Sequence, residues 1–78
     1  MQITLRATGI IREKFPNKQE KIVVMLDEPL SVQQILTDQL GIDVAGLAAI
    51  IVNGQCRRRD YLPVDGDVVT LVPPLGGG

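Results

Sequence analysis

The first seven residues alternate. Met1, Ile3, Leu5 and Ala7 fall on one side, Gln2, Thr4 and Arg6 on the other, the period-two pattern of a strand with one buried face. Gly9 permits a turn, and residues 10–16 read as a connection with a short helical turn. Lys21 to Leu26 (KIVVML) is apolar and β-branched, a second strand expected to pair antiparallel with the first. Pro29 ends that possibility. Ser31 followed by Gln34 has the spacing of a capping box. Val32, Ile35, Leu36 and Leu40 keep the repeat of one buried helical face. Gly41 stands where a left-handed cap belongs. These signals together predict a helix over 32–40.

Ala48 to Asn53 (AAIIVN) is a short continuous apolar run, which suits a buried central strand. Asn53-Gly54 is a strong signal for a two-residue turn, returning the chain as a short edge strand over 55–58. Asp65-Gly66 marks another turn. Asp67 to Val72 (DVVTLV) forms the last strand, stopped by Pro73 and Pro74, which offer no N–H to a ladder. One helix against one mixed sheet of four to five strands is a two-layer α+β domain. The helix can serve as a crossover that lets the first and last strands lie side by side at the sheet centre, the β-grasp arrangement. The expected division is a β-grasp domain over 1–72 and a flexible tail over 73–78.

Size and composition narrow what such a domain can do. A chain of 78 residues buries roughly 60% of the surface its unfolded form exposes, leaving little room for a deep pocket. Eight basic and nine acidic residues give a formal charge of −1, so no general attraction to nucleic acid or anionic membrane is expected. There is no histidine and one cysteine, which removes the usual general base and any disulfide, zinc knuckle or iron–sulfur set within the chain. No apolar run approaches the ~20 residues of a membrane span, and no secretory signal is visible. The reading is a reducing, cytoplasmic protein without a metal of its own.

The chemistry lies in the tail. Pro73-Pro74 favours an extended, semi-rigid segment that projects the last four residues away from the sheet. From Pro73 to Gly78 such a backbone reaches about 20 Å. Gly76, Gly77 and Gly78 have no Cβ and can enter a channel too narrow for side chains. A carboxylate delivered there is a poor electrophile, so it needs activation, most simply as an acyl-adenylate made with ATP. Terminal glycines are commonly no more than frayed ends. Strand, Pro-Pro, the bulky Leu75 and then glycines, on a one-helix domain, favour the functional reading.

The opening ITLRAT, the VNG turn, the DGD turn before the last strand and the ending PPLGGG resemble the ubiquitin-like sulfur-carrier family, which includes the molybdopterin synthase small subunit and the thiamine-pathway carrier. The likeness spans nearly the whole chain. Gly76 stands where Ala or Ser is more usual, and Pro-Pro leans towards the molybdopterin branch. The resemblance implies an E1-like adenylating enzyme that uses ATP and Mg to activate the Gly78 carboxylate. A sulfur donor then converts it to a thiocarboxylate, and a synthase large subunit or other acceptor enzyme takes the sulfur. It also implies that this chain is no enzyme and binds no cofactor itself.

Alternation along the last strand puts Val69 and Leu71 inward and Val68, Thr70 and Val72 outward. Val72 with Leu75 would form an apolar strip leading to the glycines, a candidate docking surface beside the alternative of local packing. Cys56 has no His or second Cys to activate or resolve it, and reads as a small, partly buried residue beside a turn. Arg57-Arg58-Arg59 reads as a solvated edge strand that blocks aggregation, or a partner contact. Asp65 and Asp67 read as turn formers. Three functions compete: a sulfur carrier, in the molybdopterin, thiamine or cysteine pathway; a modifier joined through Gly78 to a lysine; and an interaction domain with an inert tail.

Overall fold

The computed structural model describes residues 1–7, 9–43 and 47–74. The chain forms β1 (Gln2–Ala7), a short helix α1 (Gly9–Arg12), a 3-10 turn (Pro16–Lys18) and β2 (Lys21–Met25). The main helix, α2, comes next, with an α-helical start (Val32–Gln34) and a wider π-helical continuation (Ile35–Leu40). The strands β3 (Ala49–Val52), β4 (Gln55–Arg57) and β5 (Val68–Val72) complete the order. Among the described residues the five strands make one sheet in the order β2-β1-β5-β3-β4. β1 runs parallel to β5 at its centre, and the other neighbours are antiparallel. This is the β-grasp arrangement expected from the element order.

The sheet is closed on one face by α2. Ile3, Leu5 and Ala7 of β1 meet Val69 and Leu71 of β5, Ile50 and Val52 of β3, and Val32, Ile35 and Leu36 of the helix in one buried cluster. Leu40, expected on the buried face, is half-buried at its edge. The apolar run 48–52 differs from expectation: Ile50 and Val52 are buried, but Ala49 and Ile51 are only half-buried. One helix cannot cover both sides of a sheet, so each strand keeps an open face.

Both ends of α2 are satisfied. Ser31 Oγ accepts the Gln34 N–H at 3.1 Å, and Gln34 Oε1 accepts the Ser31 N–H at 2.9 Å, the reciprocal box that the sequence predicts. The N–H groups of Val32 and Gln33 donate to the carbonyls of Tyr61 and Arg59, each at 2.9 Å. At the other end Gly41 takes φ 67°, and the N–H groups of Gly41 and Ile42 converge on Leu36 O. Replacing Ser31 by Ala is expected to cost about 1 kcal/mol. For a domain of this size that lowers Tm by about 4–8 °C, read from the thermal unfolding curve. An unchanged curve would mean that the two loop carbonyls hold the helix start alone.

Candidate functional site

The tail leaves from the most constrained part of the sheet. β5 is hydrogen-bonded to a neighbour on each side, with Leu71 opposite both Ala7 and Ile50. The last grip is at Val72, which pairs with Ala49 and whose carbonyl accepts the Ala48 N–H at 2.9 Å. Pro73 is half-buried and Pro74 exposed. Pro73 lies near Gly9, whose φ is +58° and where an added Cβ would sit 3.4 Å from Pro73 Cγ. Two prolines thus end the ladder at a fixed place and direction. Leu75, Gly76, Gly77 and Gly78, the acceptor and channel residues expected from the sequence, lie outside the described residues.

The strand's alternation is as expected. Val69 and Leu71 are fully buried, while Val68, Thr70 and Val72 are half-buried on the face away from α2. Register adds residues that the linear reading missed. Ile51 stands opposite Thr70, Ala49 opposite Val72, and Thr4 opposite Val68. A face of small and β-branched side chains therefore leads to the root of the tail. The signal for Ile51 was in the apolar run, but its side of the sheet is set only by pairing with β5. Leu75, the other half of the expected apolar strip, lies outside the described residues.

Cys56 corrects an expectation: it is exposed, not partly buried. It pairs with Ile51 from the edge strand β4, beyond which no strand lies among the described residues. Arg57 to Arg59 are exposed at the same edge.

Asp65 and Asp67 are turn residues, but not equals. Asp65 Oδ1 accepts the Gln2 N–H at 2.7 Å. Asp67 is buried, at 5% exposure, and organises the approach to β5. Its Oδ1 accepts from Asn53 Nδ2 at 2.8 Å; its Oδ2 accepts from the Val64 N–H at 2.9 Å and the Tyr61 hydroxyl at 3.1 Å. Asn53 Oδ1 in turn accepts the Val68 N–H at 2.9 Å. Burial pushes the Asp67 carboxyl upward, yet the Val64, Asn53 and Tyr61 hydrogen bonds and the Arg57 charge together hold it below the usual aspartate value. The Tyr61 hydroxyl is raised, first by its bond to Asp67, then by burial and the carboxylate charge, with Arg57 opposing. Both Asp67 oxygens are occupied by protein donors, so its role is to pin the start of the central strand.

A comparison with family profiles matches the ThiS family over residues 8–78. The chain belongs to the ThiS family. It is therefore a member of the ubiquitin-like sulfur carriers, small proteins that are not themselves catalysts. No match was found among curated proteins. Solved structures carry the fold. SAMP1 from Haloferax volcanii superposes with a TM-score of 0.73 at 18% identity, covering 100% of both chains. Urm1 from Trypanosoma brucei gives 0.67 at 22% identity, covering 99% of this chain and 95% of its own. A chain of the complex of subunits 1 and 2 of molybdopterin-converting factor from Helicobacter pylori gives 0.56 at 24%, covering 100% of both. The matched range reaches from the β1–α1 junction to the terminal glycines. Among the described residues no helix is long and apolar enough to cross a membrane.

Proposed function

We propose that this protein carries sulfur as a thiocarboxylate on Gly78 and donates it in cofactor biosynthesis, with molybdopterin synthesis, as the synthase small subunit, the pathway it fits best. The observation that carries the reading is the ThiS family match extending through residue 78. Its structural support is the central strand that hands over to Pro73-Pro74 at a fixed root. The Pro-Pro pair favours the molybdopterin branch.

The chemistry is dictated by the weakness of a carboxylate as an electrophile. A Gly78 oxygen attacks the α-phosphorus of ATP in an E1-like enzyme, pyrophosphate leaves, and an acyl-adenylate forms. Mg held by that enzyme offsets the phosphate charge. Sulfide released by the donor then attacks the carbonyl carbon, AMP leaves with the electron pair of the broken C–O bond, and a thiocarboxylate remains. In a synthase large subunit or related acceptor the thiocarboxylate sulfur bonds to the acceptor's substrate, and water then cleaves the acyl C–S bond, leaving the sulfur on that substrate and returning Gly78 as a carboxylate. This chain supplies reach through 73–78, with Val68, Thr70 and Val72 as the docking surface beside the tail.

Reconstitution tests the reading. The chain is incubated with a candidate adenylating enzyme, ATP, Mg and a sulfur donor, and intact mass is recorded. The expected product is heavier by the difference between sulfur and oxygen, localised to the C-terminal peptide. Higher-mass lysine conjugates in cell extract, without that product, would identify a protein modifier and overturn the carrier assignment.

A further inference from the structure

Three consecutive arginines lie outside everything the tail requires. Arg57 closes β4, and the β3–β4 ladder stops there, at the Ile50–Arg57 pair. Beyond it the chain leaves the sheet and crosses to α2, whose first N–H groups are taken by the carbonyls of Tyr61 and Arg59. The departure opens a groove of about 610 Å³ between residues 47–50 and 56–60, with Gln33 also in its wall. Leu47 and Ala49 give it apolar surface, and the arginines give it a basic rim. β4 ends the strand order on this side, so among the described residues no further strand of the sheet covers this rim.

Two of the three arginine charges, on Arg58 and Arg59, are little compensated, whereas Arg57 also feels the Asp67 carboxylate. Arg57 is oriented: its guanidinium lies 5.4 Å from the Tyr61 ring centroid and donates to Gln55 Oε1 at 2.7 Å. Arg58 meets Asp60 only at 3.9 Å, with the two side chains 92% and 76% exposed, a pairing of little strength in water. Arg59 makes no ion pair among the described residues. On a chain of net charge −1 this is a local basic edge against an acidic whole.

We propose that the groove binds an extended acidic segment of a partner protein, with carboxylates on Arg57, Arg58 and Arg59 and an apolar side chain against Leu47 and Ala49. Guanidinium forks match carboxylates in bidentate geometry, and the mixed lining suits a segment alternating acidic and apolar residues. A single-stranded nucleic acid fits less well. The chain's two aromatic residues offer no free stacking platform: Phe15 is buried, and Tyr61 is half-buried with Arg57 over its ring, whereas such binding relies on exposed aromatic faces. This inference does not depend on the chemistry at Gly78.

The test is an amide NMR titration of the full chain with a blocked hexapeptide of alternating glutamate and leucine. Shifts are expected to concentrate at residues 47–50 and 56–60. Affinity is expected to fall about tenfold between about 50 and 300 mM salt, as screening shortens the reach of the charges. R58E/R59E, which changes two exposed side chains, is expected to weaken binding by about tenfold or more while preserving the spectrum of the free protein, and R58K/R59K, which keeps the charge but loses the fork, to weaken it by an intermediate factor of about three- to fivefold. Shifts centred elsewhere, affinity unchanged in R58E/R59E, or tighter binding of a single-stranded oligothymidine would overturn the proposal.

Discussion

Removing Gly77 and Gly78 is expected to abolish sulfur acceptance while leaving the folded domain intact. Two extended residues span about 7 Å, so the new carboxylate stops that far short of the adenylating centre. A displacement of even about 1 Å from productive geometry costs on the order of a hundredfold, so the loss should exceed about a thousandfold and register as no detectable mass gain. The buried core ends at Leu71 and the sheet pairing at Val72–Ala49, so the truncation should shift stability by less than about 0.5 kcal/mol. A single residue added after Gly78 should fail similarly, because it moves the carboxylate the other way by about 3.5 Å. Near-normal acceptance by the truncated chain would refute a role for Gly78. A loss accompanied by a lowered melting temperature would instead point to a structural role for the tail.

The residues that announced the fold act locally. β1 alternates because Ile3, Leu5 and Ala7 must face one helix, and that period is visible in seven residues. Ser31 and Gln34 satisfy each other across three positions. Asn53-Gly54 turns the chain with consecutive positive φ values of 52° and 85°, a conformation those two residue types favour. What could not be read depends on pairing between distant strands. Ile51 lies on the open face only because it stands opposite Thr70. Cys56 is exposed because β4 is outermost. The tail root was legible as Pro-Pro, but its place beside Gly9, across 64 positions of sequence, required the parallel pairing of β1 and β5.

The same long-range pairing makes Asp67 a structural centre that its DGD context conceals, and its replacement gives the largest stability change expected. Asn53 and Asp67 are 14 residues apart and meet because β3 lies beside β5. In Asp67→Ala, three donors lose their acceptor: Asn53 Nδ2, the Val64 N–H and the Tyr61 hydroxyl. A buried donor left unpaired costs about 1–3 kcal/mol, and because all three bonds are only part-buried, with Asn53 and Val64 exposed residues, access to water lowers the sum. About 3 kcal/mol is expected in all, a fall in Tm on the order of 10–20 °C. Asp67→Asn is a sharper test. Its amide oxygen can face Val64 and Tyr61, but its NH₂ then meets the Asn53 NH₂, which cannot turn without losing its bond to Val68. About 2 kcal/mol should be lost. The pH dependence identifies charge as the cause. Because the folded Asp67 carboxyl lies below its ordinary value of 3.8, the stability it adds is fully present above that value and is lost as pH falls through the folded one. The Tm gap between the native chain and Asp67→Asn should therefore stay constant from about pH 5 to 8 and narrow below about pH 4. A gap that persists undiminished in acid would show that shape, and not the carboxylate, holds the start of the strand from which the tail departs.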